Sequence, residues 1–309
     1  MILVTGAMGR IGTAAVDHLT KRRLSTRALV PSLRQVPWLA ESGAELVTGD
    51  CDDLSCLDRA LEGVTAVILI SRPMADHVDL QRRIIDQCHA RGIRRVVKLS
   101  VAGAREASPT EAARWHWLAE EHLRATVAEP CVVSAGRTMQ DLLHQTPLLL
   151  AHHMLVGCQG NGVAADVDAR DVGAVLAGLA TASAIPDNTV LATGPHAISR
   201  QEVAAIMGQA LGLLLRYVAC TPAELRQVLV GAGISAWQAD DLVSYEAAAA
   251  DGHWQAVTDV VSQWTGRPAH TFGAFAAETA ASLRYVHHLP QLRGSLMDAL
   301  PREVALSDA

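Results

Sequence analysis

The amino-acid sequence predicts an α/β fold, with a doubly wound parallel sheet followed by a smaller, mostly helical region. Short apolar segments alternate with helix-length segments up to about residue 135, which is typical of repeated βα units. A glycine-rich turn joins the first strand to the first helix, and helix signals dominate after residue 135. We therefore expect a sheet domain over residues 1–135, a helical region packed on it over 136–288, and a loosely ordered tail over 289–309.

The first strand, turn and helix lie in the opening segment MILVTGAMGRIGTAAVDHL. Its three glycines follow the G-x-x-G-x-x-G variant of a dinucleotide-binding loop, which indicates a Rossmann-type sheet. Gly6 permits the sharp turn, Gly9 lets a pyrophosphate approach the backbone, and Gly12 lets the helix lie close to the sheet. The intervening residues Met8, Arg10 and Ile11 are expected to contact the cofactor as well.

The following strands are short, apolar and rich in β-branched residues, as in a parallel sheet buried on both faces. They are predicted over residues 25–30, 44–49, 65–70, 94–100 and 130–135. The spans 76–92 and 110–126 between them have helical periodicity with polar outer faces.

The second region is predicted mainly from helix signals. A helical stretch covers residues 139–155, and Asp168 or Asp171 is expected to cap a helix after a glycine-rich turn. Capping boxes at Ser199–Glu202 and Thr221–Glu224 begin two further helices, and residues 221–288 read as mostly helical.

Composition limits the classes of function. A net charge of −6 in 309 residues provides no basic surface for nucleic acid. The six cysteines are scattered without a C-x-x-C pair, so we expect reduced thiols, and the histidines lack metal-ligand spacing. Neither a leader pattern nor a membrane-length apolar run is found, so we expect a cytoplasmic protein that acts on a small molecule, with a homodimer left open.

Several of these segments together resemble the NmrA-like atypical branch of the short-chain dehydrogenase/reductases. The segments that carry the resemblance are VTGAMGRIG at the start, GDCDDLSCLDRALEG (49–63), VVKLSVAGA (96–104), RWHWLAEEHLR (114–124), DVDARDVGAV (166–175), TGPHAISRQEVA (193–204) and WTGRPAHTFGAFA (264–276). The resemblance implies a nicotinamide cofactor, NADP(H), at the glycine loop.

The residues after the second strand agree with a preference for NADP(H) over NAD(H). The segment VPSLRQ has no acidic residue for a ribose 2′-hydroxyl, whereas Ser32, Arg34 and Arg10 are suited to a 2′-phosphate. Family members often have an arginine where Pro31 stands in this chain. By resemblance, the remaining cofactor contacts are Asp50 and Cys51 at the adenine, and Ile70, Ser71 and Arg72 toward the nicotinamide. A turn-capping role for Asp50 is the alternative.

The catalytic pattern departs from that of the typical short-chain reductases. Ser100 matches their serine, but in the family register His116 occupies the lysine position and Ala112 the tyrosine position. Because a histidine has an ordinary pKa near 6.5, we expect His116 to supply the proton. The alternative is that His116 only packs on Trp115 or Trp117. Lys98 is interpreted as structural, two residues deeper than Ser100 on the same strand face.

The substrate segment also differs from that of the relatives. Val133–Met139 replaces the family's L-R-P-x-x-F-M, and we expect Trp115, Thr138 and Met139 to contact the substrate. Without the usual tyrosine, the favoured function is NADPH-dependent hydride transfer to a quinone-like or conjugated carbonyl compound. The alternative is an NAD(P)-sensing regulatory protein without turnover.

Overall fold

A computed structural model describes residues 1–32, 37–71, 76–186 and 189–286. The chain divides into two compact units. The first, called the sheet unit, comprises residues 1–136, 169–192 and 258–268. The second, called the helical unit, comprises residues 137–168, 193–257 and 269–309, of which 287–309 lie outside the described residues.

The regular elements follow each other along the chain as the alternating pattern predicts. The strands are β1 (Ile2–Val4), β2 (Thr26–Val30), β3 (Glu45–Thr48), β4 (Ala66–Leu69), β5 (Arg95–Val101), β6 (Glu129–Ala135), β7 (Met154–Gly157), β8 (Val163–Ala164), β9 (Val190–Ala192), β10 (Ile198–Ser199) and β11 (Arg216–Ala219). The helices are α1 (Arg10–Lys21), α2 (Pro37–Ala40), α3 (Leu54–Leu61), α4 (His77–Ala90), α5 (Glu111–Thr126), α6 (Thr146–His152), α7 (Ala169–Thr181), α8 (Arg200–Leu211), α9 (Pro222–Gly231), α10 (Ala236–Ala250), α11 (Val260–Thr265) and α12 (Phe272–Val286).

The described residues of the sheet unit form a seven-stranded sheet in the order β3-β2-β1-β4-β5-β6-β9. Every neighbouring pair is parallel. The strands β1, β2 and β4 are buried along their whole length, as expected for a sheet covered on both faces. Since β1 pairs with both β2 and β4, the chain direction across the sheet reverses at β1, where doubly wound folds bind their ligands. The predicted doubly wound fold is confirmed.

Two glycines let α1 lie close to its neighbours. A Cβ atom at Gly12 would lie 2.2 Å from the carbonyl oxygen of Gly6, and one at Gly173 would lie 2.6 Å from the carbonyl oxygen of Ile11. Gly12 therefore permits the close contact of α1 with the glycine loop itself. Gly173 lies on α7, which packs along α1 within the sheet unit.

Two small sheets and two apolar clusters are found among the described residues of the helical unit. Strands β7 and β11 pair in parallel, and β8 and β10 pair antiparallel. One cluster joins α8 and α12 through residues such as Met207 and Phe275, and the other joins α9 to β7. The two predicted capping boxes are present, Ser199 with Glu202 at α8 and Thr221 with Glu224 at α9.

The interior of the helical unit also holds a buried ionic cluster of two arginines and two acids. The Arg137 guanidinium donates to Asp166 at 2.9 Å and to Glu246 at 3.0 Å. Arg200 donates to the same Glu246 oxygen at 3.0 Å. Each of these side chains is at most 6% exposed, and the arginines beside Glu246 hold the pKa of that carboxyl below its ordinary value despite its burial. The formal charges of the four groups cancel.

The structure differs from the sequence-based expectations in two places. The helical stretch predicted over 139–155 is a 3-10 helix over Met139–Gln145 followed by α6, and residues 154 and 155 belong to β7. His153 adopts a left-handed conformation (φ 54°) that ends the helix. The division at residue 135 also differs from that of the structure, because α7, β9 and α11 belong to the sheet unit.

No helix within the described ranges is long and apolar enough to cross a membrane.

Candidate functional site

The loop between β1 and α1 is closed by tight backbone contacts. Gly6 has a φ of 59°, and a Cβ atom there would lie 2.7 Å from the carbonyl oxygen of Ile70. The Gly9 amide donates to the carbonyl oxygen of Gly6 at 3.0 Å. Both the dihedral angle and the close approach exclude a side chain at Gly6. The loop therefore has the compact form that the glycine spacing predicts.

The N-terminus of α1 is open to a ligand. Gly9 is the N-cap residue, with an extended backbone and no side-chain cap, whereas Asp53 caps α3 and Thr110 caps α5. A Cβ atom at Gly9 would meet only the Gly6 carbonyl oxygen, at 3.4 Å, so the space beside it is open. An uncapped helix start presents backbone N–H groups and the positive end of the helix dipole, which together bind phosphate. Loop and helix fit a dinucleotide pyrophosphate.

Thr5 fixes the end of β4 beside this loop. Its hydroxyl donates to the Ile70 carbonyl oxygen at 2.7 Å and accepts from the Ile70 amide at 2.9 Å. The segment Ile70–Ser71, predicted to lie near a nicotinamide, is thereby held against the glycine loop. The sequence alone had given Thr5 no such role. The signal that could have indicated this role is a polar residue at the end of an otherwise apolar strand.

The residues predicted to hold the adenosine half lie after β2 and β3. Ser32 is half-buried, while Arg10 and Asp50 are exposed. The Asp50 carboxylate accepts weakly from the Asp52 amide at 3.4 Å, so the turn-capping alternative keeps some support, although Asp53 is the residue that caps α3. Cys51 packs on the core, and burial together with the Asp50 charge raises the pKa of its thiol to about 12. The predicted contacts Arg34 and Arg72 lie outside the described residues.

Ser71 is tied to two buried polar side chains of α4. Gln81 donates to the Ser71 hydroxyl at 2.8 Å, and the Nδ1 atom of His77 lies 3.3 Å from the same oxygen. His77 and Gln81 are fully buried on the inner face of α4. Sequence reasoning missed both. The sequence pattern that could have indicated them is a pair of polar residues four positions apart on a helix face that is otherwise apolar and carries Ile84, Ile85 and Cys88.

The His77 ring lies between two residues of α5. Its edge contacts the His116 ring at a centroid distance of 4.5 Å, and it stacks on the half-buried Trp115 at 6.4 Å. Trp115, which is predicted to contact the substrate, thus also contacts His77. The His77 ring is an aromatic neighbour of His116 that the sequence did not indicate.

His116 has a buried lysine as its polar partner. The Lys98 Nζ atom lies 2.8 Å from His116 Nδ1 and also donates to the Leu99 carbonyl oxygen at 3.1 Å. Burial, with the charge of Lys98 and the neighbouring His77, holds the pKa of His116 well below its ordinary value. The expectation of a histidine that is readily protonated near neutral pH is therefore wrong. At that pH the imidazole is neutral and carries one N–H.

Ser100 is directed toward α5 and is 1% exposed. Its hydroxyl donates to the Oε1 atom of Glu120, whose Oε2 atom accepts from Arg124 at 2.9 Å. Arg124 also donates to the Thr189 hydroxyl at 2.9 Å. The two predicted catalytic residues, Ser100 and His116, thus come from adjacent elements but have different partners.

The two predicted substrate contacts of the helical unit have local structural roles. Thr138 is the N-cap of the 3-10 helix in a capping box with Asp141. Met139 is 2% exposed and packs in an apolar cluster of the helical unit. It also lines a small cavity of about 60 Å³ together with Asp166 and Phe272.

Both the sequence and the fold of this chain have matches among known proteins. A family model described as the NmrA-like family matches residues 1–252. The chain belongs to the NmrA-like family. This confirms the resemblance to that family.

Individual relatives match nearly the whole chain. The chain is 31% identical to the NAD(P)H azoreductase of Xenophilus azovorans, over 91% of this chain and 99% of the relative. The structure of the Escherichia coli NADPH-dependent quinone oxidoreductase QOR2 with NADPH superposes with a TM-score of 0.81 at 23% identity, covering 92% of this chain and 99% of that one. NmrA, a negative transcriptional regulator crystallised with NADP, superposes with a TM-score of 0.76 at 17% identity, covering 94% and 98%.

Proposed function

We propose that this protein is an oxidoreductase that transfers a hydride from NADPH to a conjugated acceptor, a quinone-like or azo compound. The observation that carries the proposal is the open N-terminus of α1 behind the Gly6–Gly12 loop, in a chain 31% identical to an NAD(P)H azoreductase. The sequence predicted an NADP-dependent oxidoreductase, and the named relatives bear out both the enzyme class and the cofactor.

The residues of the sheet unit suit each part of the cofactor. The loop residues Gly6, Met8, Gly9, Ile11 and Gly12 would surround the pyrophosphate, where backbone N–H groups and the helix dipole stabilise its charge. Ile70 and Ser71 would border the nicotinamide, because Thr5 holds them against the loop. Asp50 and Cys51 would line the adenine. When bound, NADPH supplies the hydride.

A preference for NADPH follows from charge. Arg10 is exposed at the first position of α1, and Ser32 is half-buried two residues after β2. The segment after β2 supplies no carboxylate that would repel a 2′-phosphate. A charge-assisted contact to this phosphate is expected to favour NADPH over NADH by about tenfold, which corresponds to about 1.4 kcal/mol. Arg34, which lies outside the described residues, is proposed from the sequence alone as a further contact of this phosphate.

We infer the type of acceptor from the proton donors among the candidate residues, none of which is a strong acid. Ala112 stands where the related reductases have their tyrosine, and His116 is neutral at neutral pH. Tyr217 donates its hydroxyl to the Gly157 carbonyl oxygen, and burial raises its pKa to about 12. A quinone or azo acceptor delocalises the charge left by hydride addition, so its reduction depends less on a strong acid than that of a simple ketone. Trp115, and with it Thr138 and Met139, remain the proposed substrate contacts.

The proposal is tested by mixing the purified protein with NADPH or NADH and a panel of azo dyes, quinones and simple ketones. We expect oxidation of NADPH with the conjugated acceptors and little with the ketones. Cofactor dissociation constants measured separately should show the tenfold preference, and Arg10→Ala should reduce it. A matched control is Arg22→Ala at the far end of α1, which should leave the preference unchanged.

A regulatory protein that binds NADP(H) without turnover is the second candidate. The observation that favours it is the burial of Ser100 and His116, which are 1% and 5% exposed. Tight cofactor binding with no oxidation by any acceptor would support this candidate and exclude the reductase.

A further inference from the structure

Lys98 is an unusual residue in this chain. Lys21 and Lys98 are its only lysines, against 24 arginines. Lys21 is exposed and paired with Asp17, whereas Lys98 is fully buried on β5 near the centre of the sheet. An arginine remains protonated in proteins, whereas a buried lysine can release its proton. Lys98 can therefore be either charged or neutral at its buried position on β5.

The surroundings of Lys98 do not stabilise a permanent charge. In the part of the chain that the structure describes, no carboxylate forms an ion pair with its Nζ atom. Glu120, the acid whose charge acts on Lys98, already accepts from Ser100 and Arg124. A buried ammonium without a carboxylate partner is strongly destabilising, so an apolar side chain would serve a purely structural role better.

Four groups set the charge state of Lys98 and His116. Glu120 on α5 favours the ammonium, while Arg124 on α5 and burial itself disfavour it. His116 contacts Nζ directly, and His77 on α4 lies against the His116 ring. Burial, with a smaller contribution from Arg124, outweighs the effect of Glu120 and lowers the pKa of Lys98 from 10.5 to about 7, so the amine exchanges its proton near neutral pH.

We propose that Lys98 is the proton reservoir behind His116, acting as a positioning residue that supplies through the imidazole the proton required by the reduced acceptor. This inference rests on the proposed reductase function. The contact between Lys98 Nζ and His116 Nδ1 fixes the direction of transfer. An ammonium at Lys98 donates to Nδ1, which leaves the proton of the neutral imidazole on Nε2.

Each turnover consumes one proton from this pair. Hydride addition to one end of the acceptor's double bond moves that bond's electron pair to the nitrogen or oxygen at the other end. This atom forms a bond to the Nε2 proton of His116, and the electron pair of the broken N–H bond stays on the ring. Nδ1 takes a proton from Lys98, which leaves the amine neutral. Before the next turnover, Nε2 regains a proton from solvent and Nδ1 returns its proton to the amine, so that the pair is restored.

The position of the pair agrees with this role. His116 contacts His77, and His77 contacts Ser71, which lies beside the glycine loop. Lys98, His116, His77 and Ser71 thus form an unbroken series of contacts, and this series ends at the half-buried Ser71, next to the proposed nicotinamide position.

The first test needs no cofactor. In protein grown with isotope-labelled lysine, NMR shows two lysine side chains, and the exposed Lys21 serves as the internal reference. We expect the Lys98 signals to titrate with a midpoint near 7, and His116→Gln to displace that midpoint. A Lys98 that stays protonated up to the pH range of an ordinary lysine would refute the proposal, whatever the enzyme reduces.

The second test is kinetic, with Lys98→Met and Lys98→Arg compared with Lys21→Met. In the wild type, turnover should fall as the pH rises through about 7, because the ammonium form is the donor. In Lys98→Met and Lys98→Arg, turnover should no longer depend on pH in this range. Near neutral pH it should be at least about tenfold lower than in the wild type, with NADPH affinity unchanged. Lys21→Met should behave as the wild type.

The outcomes separate the two proposals. If the wild type oxidises NADPH with conjugated acceptors and the Lys98 variants keep its rate and pH profile, only the proposal that Lys98 is a proton reservoir is refuted. A wild type that binds NADPH and reduces no acceptor refutes the proposed function, and the NMR titration then still reports whether the buried amine titrates near 7.

Discussion

Replacing Lys98 with methionine should change how the stability of the protein depends on pH. The unfolded chain holds the lysine proton up to a pKa near 10.5, whereas the folded protein releases it near 7. Between these values the unfolded state binds more protons, so the stability of the wild type rises with pH. From the two pKa values, Lys98 should add about 3 kcal/mol to the free energy of unfolding between pH 7 and about 9.5. Lys98→Met lacks this contribution.

The assay is urea unfolding of wild type and Lys98→Met at several pH values across this window, with the difference between the two curves as the measured quantity. Other titrating groups then cancel to a first approximation, and the window lies above the range in which histidines titrate. Lys21→Met is the matched control, because an exposed ammonium is solvated similarly in both states. Parallel stability curves for wild type and Lys98→Met would show that Lys98 stays charged in the folded protein.

Three further predictions concern other parts of the molecule. Gly9→Val should abolish NADPH binding measured by titration. The thermal unfolding transition should persist, because a Cβ atom at residue 9 meets only one backbone oxygen, at 3.4 Å. Unchanged affinity would contradict the loop assignment. His116→Ala should lower turnover by a factor of about 10² or more, with cofactor affinity nearly unchanged. Full activity of this variant on a verified substrate would show that His116 has only a packing role. Glu246→Gln should lower the free energy of unfolding by about 3–5 kcal/mol in urea titrations, because Arg137 and Arg200 lose their shared acid; a change below about 1 kcal/mol would show that Asp166 alone compensates them.

The cofactor loop was predictable from sequence because its constraints are local. A turn with φ near 60° at Gly6 and the close approach at Gly12 demand glycine at fixed spacing, and the flanking strand and helix have clear periodicity. The same holds for the capping boxes at Ser199 and Thr221, in which both partners lie within one helical turn.

The polar interior of the sheet unit was not predictable in the same way. Lys98 and His116 are 18 residues apart, and their contact depends on how α5 packs on β5. Strand alternation correctly placed Lys98 deep on its strand, but it gives no information on the partner. The low pKa of His116 arises from burial and from Lys98 and His77, so its ordinary value was a poor guide.

The ionic cluster of the helical unit was also not predictable, because its members are even farther apart in sequence. Arg137 and Glu246 are 109 residues apart in sequence. The sequence marked the segment around Arg137 only as a departure from its relatives. Tertiary packing instead buries this arginine against two acids and the Tyr245 ring, whose centroid lies 5.1 Å from the guanidinium carbon.

Because α7 packs along α1 through Gly173, the proposed cofactor-binding unit is discontinuous along the chain. During synthesis, the glycine loop leaves the ribosome well before α7, which begins at residue 169, and before α11, which begins at residue 260. Until α7 has been made, the nascent chain exposes the part of α1 that α7 covers, around Ile11, Ala14 and Ala15. A fragment that ends at residue 135 would retain this exposed face permanently, so the glycine loop alone does not define a portable cofactor-binding module.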